Sequence, residues 1–201
     1  VRLDPSGTEG YQLRADENLV DILRFEVRDS TLYIGSFYRI TGSKSLEITV
    51  SFSELRRVVA TAGHLYNTAP FQSEVLDLLA SEDARLSLEY RAGLSQVTLE
   101  GNSRATLRAE ADSLSVDMRE RSDAFIYTVN QGMQLYLREQ SGLDLEGISV
   151  QAAFEASDNS GLDATRLEAE SLRLKASASA TARVRATTQL ELDASGGSRT
   201  Y

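Results

Sequence analysis

The chain of 201 residues has no cysteine, no tryptophan, a single histidine and two prolines. Without cysteine there can be no disulfide, thiolate nucleophile, Cys-ligated zinc or iron–sulfur cluster. One imidazole, His64, cannot build a multi-histidine metal centre, and a Ser–His–Asp arrangement would have to use it. Lysine is scarce too. Of 21 basic residues only Lys44 and Lys175 are lysines, and the rest are arginines. Basic charge is outnumbered by 30 acids, for a net charge of −9. That balance disfavours nonspecific nucleic-acid binding, which needs clustered Lys and Arg to displace counterions, and it disfavours docking on anionic lipid. No apolar run approaches the length of a membrane-spanning helix. What is present is an ordinary globular mixture, 41% hydrophobic and 25% charged, which argues against wholesale disorder. The chain opens on Val1 rather than Met, so a processed or trimmed start is expected, with any export signal upstream.

Helical periodicity is weak, and residues 15–24 and 72–81 are the best short candidates. Period-two alternation is nearly everywhere, as in Leu46-Glu47-Ile48-Thr49-Val50, Val97-Thr98-Leu99, Leu135-Tyr136-Leu137 and Leu172-Arg173-Leu174. Gly, Ser, Asn and Asp punctuate these runs, so the pattern predicts short strands and tight corners.

The alternating unit repeats. Anchored on an inward apolar residue, it recurs at Leu78, Leu99, Val116, Leu137, Phe154, Leu174 and Leu192. The steps alternate between long (20 or 21) and short (17 or 18), and average about 19. A repeat of this kind predicts a β-solenoid whose coils stack in register. The outward residue after each anchor distinguishes a coil of 19 residues from one of 38. Reading upward it is Leu79, Glu100, Asp117, Arg138, Glu155, Lys175 and Asp193. Coils of 19 place acid mostly beside base, whereas coils of 38 would stack Asp117, Glu155 and Asp193 on one another. Opposite charges on neighbouring strands stabilise and like charges do not, so 19 is preferred, with unequal corners expected to cause the uneven steps. Glu100 beside Asp117 is the one violation. The inward triplets, such as Leu76, Leu78, Ala80 and Leu172, Leu174, Ala176, end on a small residue and predict a narrow aliphatic core.

Candidate chemistry is thin. His64 sits in a corner-like stretch and reads as an ordinary surface residue. Asp158-Asn159-Ser160-Gly161 with Asp163 is the best carboxylate cluster, but it lacks the late Glu of an EF-hand and reads as Asx corner chemistry. Arg56-Arg57 and Arg119/Arg121 have acids nearby and read as paired surface charge. Of the tyrosines at 11, 33, 38, 66, 90, 127, 136 and 201, only Tyr136 maps outward on a flat strand. Nucleotide, zinc-protease and nucleophile-elbow signatures do not occur. No catalytic, cofactor-binding or metal-ligating residue is therefore nominated.

The residues also carry a family resemblance along nearly the whole chain. Leu13-Arg14-Ala15-Asp16-Glu17-Asn18-Leu19, Val27-Arg28-Asp29-Ser30-Thr31-Leu32-Tyr33-Ile34, the run from Leu46 to Val58, and Leu190-Glu191-Leu192-Asp193-Ala194-Ser195-Gly196-Gly197-Ser198 with Arg199-Thr200-Tyr201 resemble the bacterial GIN-domain family, often described as an autotransporter adhesin head. The resemblance implies a right-handed parallel β-helix, export, and no established catalytic residue. It also departs from the family pattern: the Ala-Ser-Gly-Gly-Ser corner is intact only at residues 194–198, and equivalent corners read Glu120-Arg121-Ser122-Asp123, Glu139-Gln140-Ser141-Gly142 and Ser177-Ala178-Ser179-Ala180.

The expectation is an all-β, single-stranded right-handed parallel β-helix with coils of about 19 residues. Residues 1–201 are read as one domain, with 1–52 an N-terminal β portion or cap and 53–201 the regular stack. The expected function is a non-enzymatic exported protein of the surface or periplasm that presents a rigid β-face to a glycan or a cell-surface protein. It uses no cofactor and does not bind nucleic acid. The alternatives are a carbohydrate-active β-helix enzyme acting on acidic polysaccharide, and an envelope scaffold that associates through solenoid ends or faces.

Overall fold

The computed structural model describes residues 1–38, 40 and 45–201, so Lys44 lies outside the described residues. The amino-terminal segment runs β1 (Arg2–Asp4), β2 (Gly10–Ala15), the single turn α1 (Glu17–Val20), β3 (Leu23–Arg28), β4 (Thr31–Ser36) and β5 (Leu46–Ser51). Next come β6 (Arg57–Ala60), β7 (His64–Asn67) and β8 (Phe71–Ala80). The long rungs are β9 (Arg85–Leu99), β10 (Arg104–Met118), β11 (Asp123–Leu137), β12 (Gly142–Ala156), β13 (Gly161–Ala176) and β14 (Thr181–Ala194), followed by β15 (Arg199–Thr200). From β8 onward each rung pairs in parallel with the next, giving a β-solenoid of about eight turns with a spacing near 19 residues.

Each long rung carries two faces. In β10, Ala105, Leu107, Ala109 and Ala111 are buried, then Leu114, Val116 and Met118. The inward phase slips once, across the exposed pair Asp112–Ser113. Alternation places every second side chain on the same side of a strand, so the slip marks the bend from one face to the other. Between rungs the chain reverses through corners such as Ser81–Ala84, Glu100–Ser103 and Ser157–Ser160, each closed by a bond from its last N–H to its first C=O.

The corners explain how the repeat survives without Gly-Gly. Glu82, Gly101, Glu120 and Glu139 have positive φ at the second corner position only, the pattern of a type II′ turn. Later corners have two successive positive values, at Asp158-Asn159, Ala178-Ser179 and Gly196-Gly197, the pattern of type I′. The left-handed conformation costs a residue with a Cβ about 1–2 kcal/mol. Stacking against neighbouring coils imposes it even on Glu and Ala.

The register corrects several expectations. Leu78 pairs with Val97, Val97 with Val116, Val116 with Leu135, and Leu135 with Phe154. Leu99 and Leu137 are the third inward residues of their rungs, not the second, so the steps of 21 and 17 came from the choice of anchor; the last two, 20 and 18, are real and come from register shifts within β13 and β14, not from corner length. The third inward position is not uniformly small either: Ala80 is followed by Leu99, Met118 and Leu137. The Glu100/Asp117 violation disappears, because Arg119 pairs with Glu100 and Arg138 reaches Asp117 at 2.5 Å. Residues 72–81, a helical candidate, form β8, where Leu76, Leu78 and Ala80 alternate into the core. Of 15–24 only Glu17–Val20 is helical; the flanking residues are drawn into strand pairing.

Arginine abundance also acquires a cause. Arg57–Asp77 (3.2 Å), Arg91–Glu110 (2.7 Å) and Arg173–Glu191 (2.9 Å) each tie one coil to the next, as does Arg166–Glu146. The long guanidinium fork spans adjacent strands. These exposed pairs contribute only about 0.2–1 kcal/mol each, so burial of the aliphatic column dominates.

At the amino-terminal end, β1 is a rung between β5 and β7, parallel to both, and β2 closes the sheet antiparallel to β5. The hairpin β3–β4 packs back through Tyr11, whose ring stacks on Phe25 at 4.4 Å. The core is aromatic at this end. Phe52 meets Phe71 edge-on at 5.5 Å, and Phe71 meets Tyr90 at 5.9 Å. The stack position of Tyr90 then shrinks through Ala109 and Thr128 to Gly147. On the second face of the same rung the buried Phe154 stacks between Leu135 and Leu174. Beside Thr128 lies a closed polar network. Thr128 Oγ1 donates to Ala109 O at 2.9 Å, and Ser149 Oγ donates to Asn130 Oδ1 at 2.7 Å.

Two measurements check these constraints. Gly147 has φ +116°, and a Cβ there would stand 1.9 Å from the Thr128 carbonyl oxygen. Gly147→Ala is expected to cost at least about 2 kcal/mol in chemical denaturation, and Ala178→Gly, which relieves a left-handed alanine, to gain about 0.5–1 kcal/mol. Tyr90 is buried and its hydroxyl shares a 2.7 Å bond with Ser95 Oγ. Burial pushes its phenol up to about 12, opposed in part by that bond. An unfolded tyrosine ionises near pH 10, so this stabilisation is intact below pH 10 and is lost as pH rises toward 12. Stability is expected to fall by on the order of 2 kcal/mol across that window, and less in Tyr90→Phe.

Candidate functional site

The outer side of the first face carries two rows of outward residues. The row next to the corners holds Arg104, Asp123, Gly142, Gly161 and Thr181, each in register with the next. Two residues along each rung lies the second row, Thr106, Phe125, Asp144, Asp163 and Arg183. The intervening side chains, including Leu143 and Leu162, point into the core. These rows line an open groove of about 530 Å³, within the range of about 300–1,000 Å³ found for small-molecule sites. Five rungs at about 4.8 Å each make it roughly 19 Å long.

The groove exists because two stacked glycines leave its middle bare. A Cβ on Gly142 would meet Asp123 Oδ1 at 3.0 Å, whereas one on Gly161 would meet nothing within 4 Å. Neither glycine has positive φ. Arginines mark the two ends. Arg104 lies 3.9 Å from Asp123, and Arg183 lies 3.8 Å from Asp163, loose contacts that leave donors free to turn. Phe125 is half-buried, with the Arg166 guanidinium 6.0 Å from its ring centre.

Asp144 and Asp163 stand side by side on adjacent rungs. Asp163 accepts from Thr165 Oγ1 at 2.6 Å and from Thr165 N at 3.1 Å. Those bonds, helped by Arg183 and Arg166, hold its carboxyl below the usual range. It is a fixed acceptor, not a proton donor near neutral pH. Asp144 is exposed and, among the described residues, has neither a hydrogen bond nor an ion pair. The arrangement can accept hydrogen bonds along its middle and donate them at its ends.

The family described as "Putative auto-transporter adhesin, head GIN domain" matches residues 1–131 and again 93–201. The chain belongs to the GIN-domain family. Solved structures with the same fold include a putative adhesin from Parabacteroides merdae, at 11% identity and TM-score 0.83, covering 99% of this chain and 85% of that one. A putative adhesin from Parabacteroides distasonis is similar at 12% identity and TM-score 0.77, covering 100% of this chain and 87% of that one. A protein from the same species described as a putative lipid binding protein gives the same identity, TM-score and coverage. At these identities the likeness shows the fold alone. Comparison with curated protein sequences yields no match.

Within this GIN domain the residues singled out from sequence are scattered. His64 is exposed on β7, where its Nε2 lies 2.9 Å from Ser87 Oγ. Arg56 pairs with Glu54 at 2.7 Å, Arg57 with Asp77, and Arg119 with Glu100. The cluster around Asp158 divides: Asp158 and Asn159 form a corner, while Gly161 and Asp163 line the groove. Tyr136 lies between Asp117 and Glu155 on the second face, away from the groove. Sequence reading missed Phe125, Asp144 and Gly142 as neighbours of Asp163 and Gly161. A spacing of 19 would have aligned them, but the misplaced anchors obscured it. No group of three or more His, Asp or Glu suited to a metal ion occurs among the described residues.

Like charges on adjacent strands are unfavourable. Asp144→Asn is therefore expected to raise stability by about 0.2–1 kcal/mol in denaturant titration. No gain would mean that the two carboxylates do not interact.

Proposed function

We propose that this chain is a non-enzymatic binding module, exported to the bacterial surface or periplasm, that uses the rigid outer side of its solenoid for adhesion. Family membership along the full length carries the reading. The fold supports it mechanically: rung after rung of parallel pairing holds the outward side chains in fixed rows. We take residues 1–201 as one unit in which 1–52 cap the stack of 53–201. The support is β1, which is hydrogen-bonded between β5 and β7 although β5 lies far from it in sequence. Asp163, held ionised by its two bonds from Thr165, suits the groove to accept hydrogen bonds from a ligand.

Beads coated with the purified chain should be retained on mucin, on extracellular-matrix protein or on epithelial monolayers, and beads coated with heat-denatured chain should wash off. Equal retention of the two, or no retention on any surface, would remove the adhesin reading.

A further inference from the structure

The groove on the first face has a feature that folding does not explain. A stacked glycine pair inside a sheet is disfavoured, because glycine loses more conformational entropy than other residues and offers no side chain to pack. Gly147 and Gly101 are needed by their backbones, since each has positive φ and no room for a Cβ. Gly161 has neither constraint, as is also true of Gly132, but unlike Gly132 it is stacked on a second glycine, Gly142, in the groove. Its effect is to keep the middle of the groove open against the carboxylates of Asp144 and Asp163.

We propose that this groove is a binding site for an uncharged oligosaccharide. The proposal rests on the binding-module reading above and names the ligand class. Three properties of the groove support it. First, the polar groups suit hydroxyls. Asp144 is an unpaired acceptor, Asp163 is an acceptor already oriented by Thr165, and Arg104 and Arg183 offer donors at the ends. Ligand hydroxyls both donate and accept, so they satisfy both kinds of group. Second, the charge balance disfavours polyanions. Three carboxylates, on Asp123, Asp144 and Asp163, outnumber the two guanidiniums that line the groove, the nearby Arg166 being paired with Glu146, and the carboxylates hold the centre. An acidic glycan would place like charge against Asp144, which has no counterion of its own. Third, the geometry is repetitive. Two adjacent rungs present the same pair, Gly142 with Asp144 and Gly161 with Asp163, about 4.8 Å apart, close to the rise of an extended pyranose chain, and Phe125 adds an apolar ring beside the polar row. A linear saccharide can therefore meet the same chemistry at two successive sugar units. Asp144 and Asp163 hold equivalent positions on adjacent rungs, so hydroxyl donors placed between them would be shared by both.

The test is isothermal titration with mannotetraose, maltotetraose and N-acetylchitotetraose, alongside a hyaluronan tetrasaccharide and a tetralysine peptide as charged probes. Binding of at least one neutral tetrasaccharide is expected, with the hyaluronan fragment at least tenfold weaker. Gly161→Leu fills the space left open and should weaken that binding at least tenfold with an unchanged melting temperature. Gly132→Leu, at another glycine with open space around it but outside the groove, should bind like the parent chain. Asp144→Ala, at an exposed position whose side chain makes no hydrogen bond or ion pair among the described residues and so should fold, is expected to lose affinity at least threefold. Failure of every neutral probe to bind, equal affinity of the Gly161→Leu chain, or tighter binding of hyaluronan or tetralysine would each overturn the proposal. The bead assay separates the two readings. Retention that persists in Gly161→Leu overturns the groove and leaves adhesion standing. Saccharide binding without bead retention overturns adhesion and leaves the groove standing.

Discussion

Everything in this molecule depends on one constraint: each residue of a rung lies beside its counterpart about 19 positions away. Parallel pairing fixes that register through the backbone, and it turns a one-dimensional repeat into columns of identical position. The inward columns bury aliphatic side chains against each other, as in Leu78, Val97, Val116 and Leu135. Outward columns inherit the same spacing, so an arginine finds an acid one coil away. A one-residue slip would turn every inward side chain outward. The column absorbs extra residues only at local bulges, as between β12 and β13 and between β13 and β14, after which the inward alternation resumes.

The register also explains where the sequence could be read and where it could not. Period-two alternation and polar corners suffice to identify stacked strands; the charge alternation that favours 19 over 38 holds in the true register only for Glu155, Lys175 and Asp193, because Tyr136 and not Arg138 stands between Asp117 and Glu155. The column assignments needed more. Three apolar residues alternate into the second face of most rungs, so Leu99 and Val97 are equally plausible anchors from sequence. Only pairing distinguishes them. For the same reason the run 72–81, with Val75, Leu76, Leu78 and Leu79 close together, mimics a helix face. Its membership of β8 is decided by β9 beside it. Corner conformation was hidden more deeply, because Glu120 and Ala178 carry no local preference for positive φ. Their geometry is imposed by the coils above and below.

The groove follows from the same logic. Its residues are unremarkable in sequence, separated by 19 or 20 positions, and become a site only when stacked. Two glycines at equivalent positions open a trough, and two aspartates at equivalent positions line it. The bend in the rung, the slight bulge between Asp144 and Glu146, and the Thr165 turn that orients Asp163 then shape what the trough can hold. A solenoid can thus shape its outer surface without long loops, by repeating a position instead of elaborating one.

The register itself is open to a direct test, since the chain has no cysteine to interfere. Adjacent parallel strands hold Cα atoms about 4.8 Å apart, within the range of about 4.4–6.8 Å that a disulfide spans. Ser115 pairs with Gln134, and Gln134 with Ala153. The double variant Ser115→Cys with Gln134→Cys should oxidise to an intramolecular disulfide, read by mass spectrometry. Ser115→Cys with Ala153→Cys, two coils apart, should remain reduced under the same conditions. The reverse outcome, with only the second pair closing, would contradict a coil of 19 residues and the columns built on it.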